Sequence, residues 1–211
     1  MDIHIRHLTL FFFLVLVPFA MADETAAQDN SSATVNEIRS MLKNRDRKIK
    51  TLLGSSATVS ADQKEQLRNL INGVIDFRAM SEGALGRHWD RLTVEQQDTF
   101  VDTFSQIVRL QSLSDLEVYR SVITYDKITV DGKRAHVVTT TTYKKVPTPV
   151  EYDLRKTESG WMATDIILDG VSTVKGYARS FQSVIRKKGF DDLMERLQKR
   201  LQKEKEAETG A

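Results

Sequence analysis

Apolar residues recur at helical spacing through the first half of the chain. Over residues 35–52 they return every three or four positions, which predicts an amphipathic helix. Ser60 with Gln63, and Thr93 with Gln96, match the capping box found at many helix starts. We therefore predict two more helices beginning there, with a short one between them over residues 77–85.

Near residue 121 the pattern changes to β-branched and alternating residues. Residues 121–130 and 133–143 are joined by Asp131-Gly132, which is a hairpin signal. After a looser connection over residues 144–149, strands are predicted over residues 150–156 and 161–168. Short connections between successive strands favour an antiparallel meander. The sequence thus predicts an α+β domain with a four-stranded antiparallel sheet, covered on one face by helices.

The last predicted strand leads directly into another helix. An apolar stripe after Asp169-Gly170 predicts a helix that begins at Val171 and ends at Gly189, and a final amphipathic helix follows. Where a strand leads directly into a helix with one apolar face, apolar side chains line the corner between the two elements. Periodicity does not distinguish a hollow corner from a packed one, because both produce the same pattern.

The sequence predicts that the chain consists of four segments. Residues 1–22 contain a short uncharged apolar run and an Ala20-Met21-Ala22 site, which predict a cleaved signal peptide. A membrane anchor is the alternative, but a run of about 12 residues is short of the roughly 20 that span a bilayer. We predict a disordered leader over residues 23–34, one domain over residues 35–202 and a charged tail over residues 203–211.

Composition excludes several kinds of chemistry. The chain has no cysteine and a formal net charge of +2, which argue against disulfides, thiol chemistry and a nucleic-acid partner. Beyond the signal only His88 and His136 are histidines, and phosphate-loop and nucleophile-elbow motifs are absent. Asp165 and Asp169 flank the last strand; we interpret Asp165 as a backbone acceptor and Asp169 as a turn residue or helix cap rather than as an acid–base pair. We expect no enzyme activity, metal or cofactor.

Several motifs resemble one known family, the MlaC-type periplasmic phospholipid-binding proteins, also called the toluene-tolerance family. The resemblance covers roughly residues 35–201. Its motifs are Leu85-Gly86-x-x-Trp89, Phe100-x-x-x-Phe104, Gly160-Trp161-x-x-x-Asp165-x-x-x-Asp169-Gly170-Val171-Ser172 and Lys188-Gly189-Phe190-Asp191-x-Leu193. The chain departs from the family pattern at Ala163 and Thr164, where larger residues are usual.

The resemblance implies a fold and a function. The expected fold is a twisted four-stranded sheet wrapped by helices, akin to the nuclear-transport-factor-like cone, with an apolar cavity between sheet and helices. The expected function is to carry phospholipid across the periplasm between an outer-membrane lipoprotein complex and an inner-membrane ABC transporter, maintaining outer-membrane lipid asymmetry. We expect a monomer.

The predicted lipid-binding residues come from the strands, the long helix and the helix after the last strand. A slip of one residue in strand facing would exchange every strand member. We expect Val171→Glu to fold but lose lipid. The predicted lining is Phe100, Phe104, Tyr143, Tyr152, Trp161, Ile167, Val171, Val174, Tyr177 and Phe181.

Two other functions remain open at this stage. One is a small-molecule enzyme on the same cone-shaped fold, with Asp165 as its titratable group. The other is a periplasmic adaptor that has a solid core and binds only proteins.

Overall fold

The computed structural model describes residues 23–55 and 58–209, and the predicted signal peptide lies outside them. The helices are α1 (Asp23–Leu53), α2 (Ala61–Asn72), α3 (Phe77–Leu85), α4 (Val94–Gln111), α5 (Thr173–Lys188) and α6 (Phe190–Thr209), with 3₁₀ helices at Gly86–Arg91 and Leu116–Arg120. The strands are β1 (Val122–Asp131), β2 (Arg134–Tyr143), β3 (Val146–Thr157), β4 (Gly160–Leu168) and β5 (Val171–Ser172). No helix of the described ranges has the length and apolar character needed to cross a bilayer.

The predicted α+β class is confirmed, but the sheet has five strands rather than four. They lie in the order β1-β2-β3-β4-β5, each antiparallel to the next. The additional strand arises because Asp169 and Gly170 both have left-handed backbone, with φ of 49° and 73°. Two such residues form the tight turn that reverses a chain into a hairpin. Val171-Ser172 therefore pairs with β4, and α5 begins at Thr173, two residues later than predicted.

The connection between β2 and β3 is tighter than predicted. Lys144 and Lys145 form a two-residue turn with φ of 48° and 68°, and β3 begins at Val146. Pro147 and Pro149 lie within this strand, although proline lacks the amide hydrogen that a sheet uses. Pro149 points its carbonyl away from β2, where it accepts from Asp169 N–H at 3.0 Å. Its missing amide hydrogen consequently removes no bond from the β2–β3 pair.

Both predicted capping boxes are present. Ser60 accepts from Gln63 N–H at 3.2 Å while the Gln63 side chain accepts from Ser60 N–H at 2.9 Å. Thr93 and Gln96 make the same reciprocal pair at 3.2 and 3.0 Å. These bonds satisfy amides that the first helical turn leaves without a backbone partner, so they set the starts of α2 and α4.

The helices at both ends extend further than predicted. α1 begins at Asp23, so the segment predicted as a disordered leader is helical in the structure. Its polarity suggested disorder, but alanine, glutamate and glutamine are good helix formers. α6 continues to Thr209 through most of the predicted tail, and Glu208 there pairs with Arg68 of α2. The division of the chain into segments otherwise stays a prediction.

Two apolar clusters form most of the interior. In the first, the sheet-face cluster, Ile38 and Leu42 of α1 cover the inner face of the sheet. The strand residues of that cluster are Ala135, Val137, Leu154, Trp161 and Ala163. In the second, the helix cluster, α3, α4, α5 and α6 pack together beside β4. Met41 packs against both clusters, and the inner-face residue Ile166 packs against the helix cluster, so the apolar interior is continuous.

Candidate functional site

The densest part of the helix cluster is a group of aromatic rings between α4 and α5. Phe100 and Phe104 are fully buried on α4, and their ring centroids lie 5.7 Å apart. From α5, Tyr177 lies 4.8 Å from Phe104, and Phe181 lies 5.8 Å from Phe100. Such edge-to-face distances are those of favourable aromatic pairs. The sequence analysis assigned these four residues to one site, and the structure brings their rings together; that they bind lipid stays a prediction.

The rings fill the corner that was predicted to enclose a cavity. They contact one another directly, and Val174 closes the same region from α5. α3 approaches α5 closely there. A Cβ atom added at Gly83 would lie only 2.8 Å from Val174 Cγ1. None of the ten predicted lining residues borders the two surface grooves described below. The direct ring–ring contacts leave no space for a further group between these side chains.

Tyr152 and Trp161 lie in the sheet-face cluster rather than among the rings. Trp161 is buried, and Tyr152 packs partly buried against the cluster. Burial, with a smaller contribution from the nearby Asp46 carboxylate, raises the pKa of Tyr152 to about 12. Its phenol therefore keeps its proton at neutral pH. Met41 packs against both clusters and so connects the two residues with the ring group through the continuous interior.

Ile167 was predicted to line the cavity, but it lies on the outer face of the sheet. A β-bulge leaves Thr164 without a partner: Asp153 pairs with Asp165, while Leu154 pairs with Ala163. One extra residue reverses the facing of everything that follows it in the strand. Ile166, opposite the inward Tyr152, takes the position expected for Ile167. Alternation alone carried no signal of this bulge.

Tyr143 and Val171 lie at the margin of the molecule. Tyr143 ends β2, and its hydroxyl donates to Asp115 at 3.2 Å. Val171 is 59% exposed, since it belongs to β5 and not to the buried stripe of a helix. The prediction that it lines a cavity wall is not what the structure shows.

The predicted lining omitted several residues that cover the inner face of the sheet. Ile38 and Leu42 of α1 belonged to the predicted amphipathic stripe, so the apolar periodicity had already found them. No local sequence signal indicated that the apolar face of α1 packs across the sheet. Tyr125 and Ile128 of β1 also pack against the sheet-face cluster. A bulge between Tyr125 and Lys127 obscures their common facing.

Asp165 holds the start of α5 in place. Its carboxylate accepts from the backbone N–H groups of Ile166 at 2.8 Å and Val174 at 3.1 Å, and from the Ser172 hydroxyl. Ser172 is itself the N-cap and accepts from Lys175 N–H at 3.0 Å. The interpretation of Asp165 as a backbone acceptor is confirmed. Asp169 lies in the β4–β5 turn and does not cap α5.

On the outer face, His136 lies between two carboxylates. Its Nδ1 is 2.7 Å from Asp153 Oδ1 and its Nε2 is 3.0 Å from Glu151 Oε2. The hydrogen bond with Asp153 is the main cause that raises the pKa of His136 above its usual value. Across the described ranges, no three His, Cys, Asp or Glu side chains are grouped so as to hold a metal ion.

This arrangement predicts a pH-dependent contribution to stability. Because the folded-state pKa is raised, the contribution is full below the unfolded-state value of about 6.5 and is lost as pH rises through the folded-state pKa. His136→Gln should lower the free energy of unfolding at about pH 5.5, by less than about 1 kcal/mol because solvent screens a partly exposed pair. Little change is expected at about pH 9. Urea titrations at both pH values measure it, and an equal loss at both would contradict it.

Comparison with known proteins agrees with this fold. The family profile described as MlaC protein matches residues 33–199. The solved phospholipid-binding protein from Ralstonia solanacearum, in complex with a phospholipid, superposes with a TM-score of 0.66 at 22% identity, covering 82% of this chain and 98% of that one. At that identity the likeness shows the fold alone. No curated protein sequence matches significantly. Since the profile match covers well over half of the sequence, the chain belongs to the MlaC family.

Proposed function

We propose that this protein is a non-enzymatic carrier of phospholipid. The observation that carries the proposal is the continuous apolar interior, which runs from the α4–α5 rings past Ile166 and Met41 to the inner face of the sheet. Membership of the MlaC family and the phospholipid bound by the Ralstonia solanacearum protein support the same ligand class. The carrier works in the periplasm, between an outer-membrane lipoprotein complex and an inner-membrane ABC transporter, and so maintains outer-membrane lipid asymmetry.

The free energy of exposing acyl chains to water explains why phospholipid needs a carrier to cross an aqueous space. Each CH₂ group removed from water gains about 0.8 kcal/mol, so two acyl chains of roughly 28 such groups would cost on the order of 20 kcal/mol to expose. A membrane solvates the same chains about as well as an apolar protein interior. Loading therefore yields little net free energy, and the direction of transport comes from the partner complexes.

Lipid entry replaces ring–ring contacts with ring–acyl contacts. The rings of Phe104 and Phe181 lie 5.7 Å apart, which leaves no room for a chain between them. Separating α5 from α4 opens this space, and the apolar surface that is exposed is covered again by the acyl chain. Asp165 and Ser172 hold the first turn of α5, so the helix moves about a fixed start.

Analysis of bound lipid in the purified protein tests the proposal. We expect native mass spectrometry of the wild type to show co-purified phospholipid. Val174→Glu should abolish it, because a carboxylate then enters the helix cluster. Val171→Glu is the matched control; since Val171 is exposed, we now expect this variant to keep its lipid, contrary to the expectation from sequence. Circular dichroism checks that both variants fold.

The same experiment distinguishes the adaptor. A wild-type protein free of phospholipid would contradict the carrier and favour a protein-binding adaptor, which the packed ring group also fits. The enzyme alternative has less support, since the carboxylate of Asp165 is engaged with the start of α5.

A further inference from the structure

A cationic groove lies between α1 and the edge strand β1. It is open to solvent and has a volume of about 540 Å³. α1 contributes residues spaced three, four, seven and eight apart, which is one face of a helix, and β1 contributes two inward residues. The groove is lined by Lys43, Asp46, Arg47, Lys50, Thr51, Ile123 and Tyr125.

Positive charge in this groove is incompletely compensated. Lys50 pairs with Asp46 at 2.9 Å, which neutralises both. Lys43 lies 5.7 Å from the centroid of the Tyr125 ring. Arg47 makes no hydrogen bond or ion pair with any residue of the described ranges. Three cations and one carboxylate therefore leave two positive charges facing the groove.

A second groove on the opposite face of the sheet differs in this respect. It encloses about 470 Å³ and includes His136, Asp153 and Arg155. There His136 pairs with Asp153, and Arg155 pairs with Asp76. Excess cationic charge distinguishes the α1–β1 groove from this one.

Tyr125 joins the groove to the apolar interior. Its ring packs against the sheet-face cluster while it also lines the groove. Burial, with Asp46 as a smaller cause, raises the pKa of Tyr125, so the phenol stays protonated and can donate a hydrogen bond. Cationic side chains and a neutral phenol thus surround one space that borders apolar surface.

We propose that the α1–β1 groove binds the phosphate of an anionic phosphate ester. Arg47 provides the planar donor pair that matches two phosphate oxygens, and Lys43 provides a second charge. Tyr125 lies where the phosphate meets the apolar part of the ligand. The inference rests on the proposed carrier function and assigns to it a headgroup site selective for anionic phospholipids.

Two variants that change charge equally test the site. Arg47→Glu reverses the charge inside the groove, whereas Lys48→Glu makes the same change one residue away on α1, outside the lining. The first measurement is the headgroup composition of co-purified lipid by mass spectrometry. The second is titration with inorganic phosphate, followed by amide NMR shifts of residues 43–51 and 123–125.

We expect Arg47→Glu to weaken phosphate binding at least about tenfold, because a charge-assisted contact is replaced by repulsion. The anionic share of bound phospholipid should fall in the same variant, and Lys48→Glu should resemble the wild type in both measurements. Asp46→Asn should have the opposite effect and raise phosphate affinity, since it removes the groove's carboxylate.

The outcomes separate this inference from the carrier function. If the wild type carries phospholipid whose amount and headgroups are unchanged in Arg47→Glu, the groove is not the headgroup site and the carrier function stands. If the wild type carries no phospholipid, the carrier function fails. In that case phosphate-induced shifts lost in Arg47→Glu would support a site for a free phosphate, and their absence would overturn it.

Discussion

Replacing Phe100 with alanine is expected to lower the free energy of unfolding by about 3–5 kcal/mol. The side chain is fully buried, and its ring lies within 6.3 Å of the rings of Phe104, Phe181 and Phe190. Truncation removes its transfer free energy and leaves a cavity among side chains held by three helices. Urea denaturation measures the loss as a lower midpoint with an unchanged slope.

Val94→Ala serves as the control for Phe100. Val94 lies on the same helix but is 68% exposed, so its truncation should change stability by no more than about 0.5 kcal/mol. A loss below about 1 kcal/mol for Phe100→Ala would contradict the packed ring group, because a truly buried phenylalanine costs several times more. It would indicate that the corner between α4 and α5 is already open.

Replacing Asp165 with alanine is expected to cost about 2–4 kcal/mol, because three hydrogen bonds to a carboxylate are lost together. Two of the donors, Val174 N–H and the Ser172 hydroxyl, belong to the start of α5. A negative charge at a helix N-terminus also interacts favourably with the helix dipole. Faster hydrogen exchange at Val174 and Lys175, together with a lower urea midpoint, measures the effect.

Asp169→Asn is the matched control for Asp165. Asp169 occupies a left-handed turn position with φ of 49°, which asparagine also tolerates. We expect a change within about 0.5 kcal/mol there. A comparable loss in both variants would contradict the anchoring role of Asp165 and would mean that the turn itself holds α5 in place.

The elements with a local chemical signal were the ones that sequence predicted well. The reciprocal pairs at Ser60 and Thr93 depend on residues three apart, so both capping boxes were visible in the chain. Asp131-Gly132 predicted the β1–β2 hairpin for the same reason. The identical dipeptide at 169–170 is predicted from sequence as a turn that leads straight into a helix, because apolar residues at helical spacing follow it, whereas the structure has a two-residue strand before the helix.

The predictions that the structure corrects depend on contacts between residues that are distant in sequence. The bulge at Thr164 is defined by its pairing with β3, and it alone moves Ile167 from the inner to the outer face. Phe104 and Tyr177 were found as apolar residues, but whether their rings touch or enclose a space depends on how close α3, α4 and α5 approach. Periodicity carries no information about that distance.

The free edge of β1 bears on how the protein resists aggregation. As the first strand of the sheet, it pairs on one side only, so among the residues that the structure describes one row of its backbone groups faces no other strand. An exposed straight edge is a template for pairing with a second chain. Here the bulge between Tyr125 and Lys127 interrupts the row, and Arg39 of α1 donates to the Tyr125 carbonyl at 3.3 Å. These features, with the charged Asp126 and Lys127 beside the bulge, disfavour growth of the sheet into intermolecular fibres.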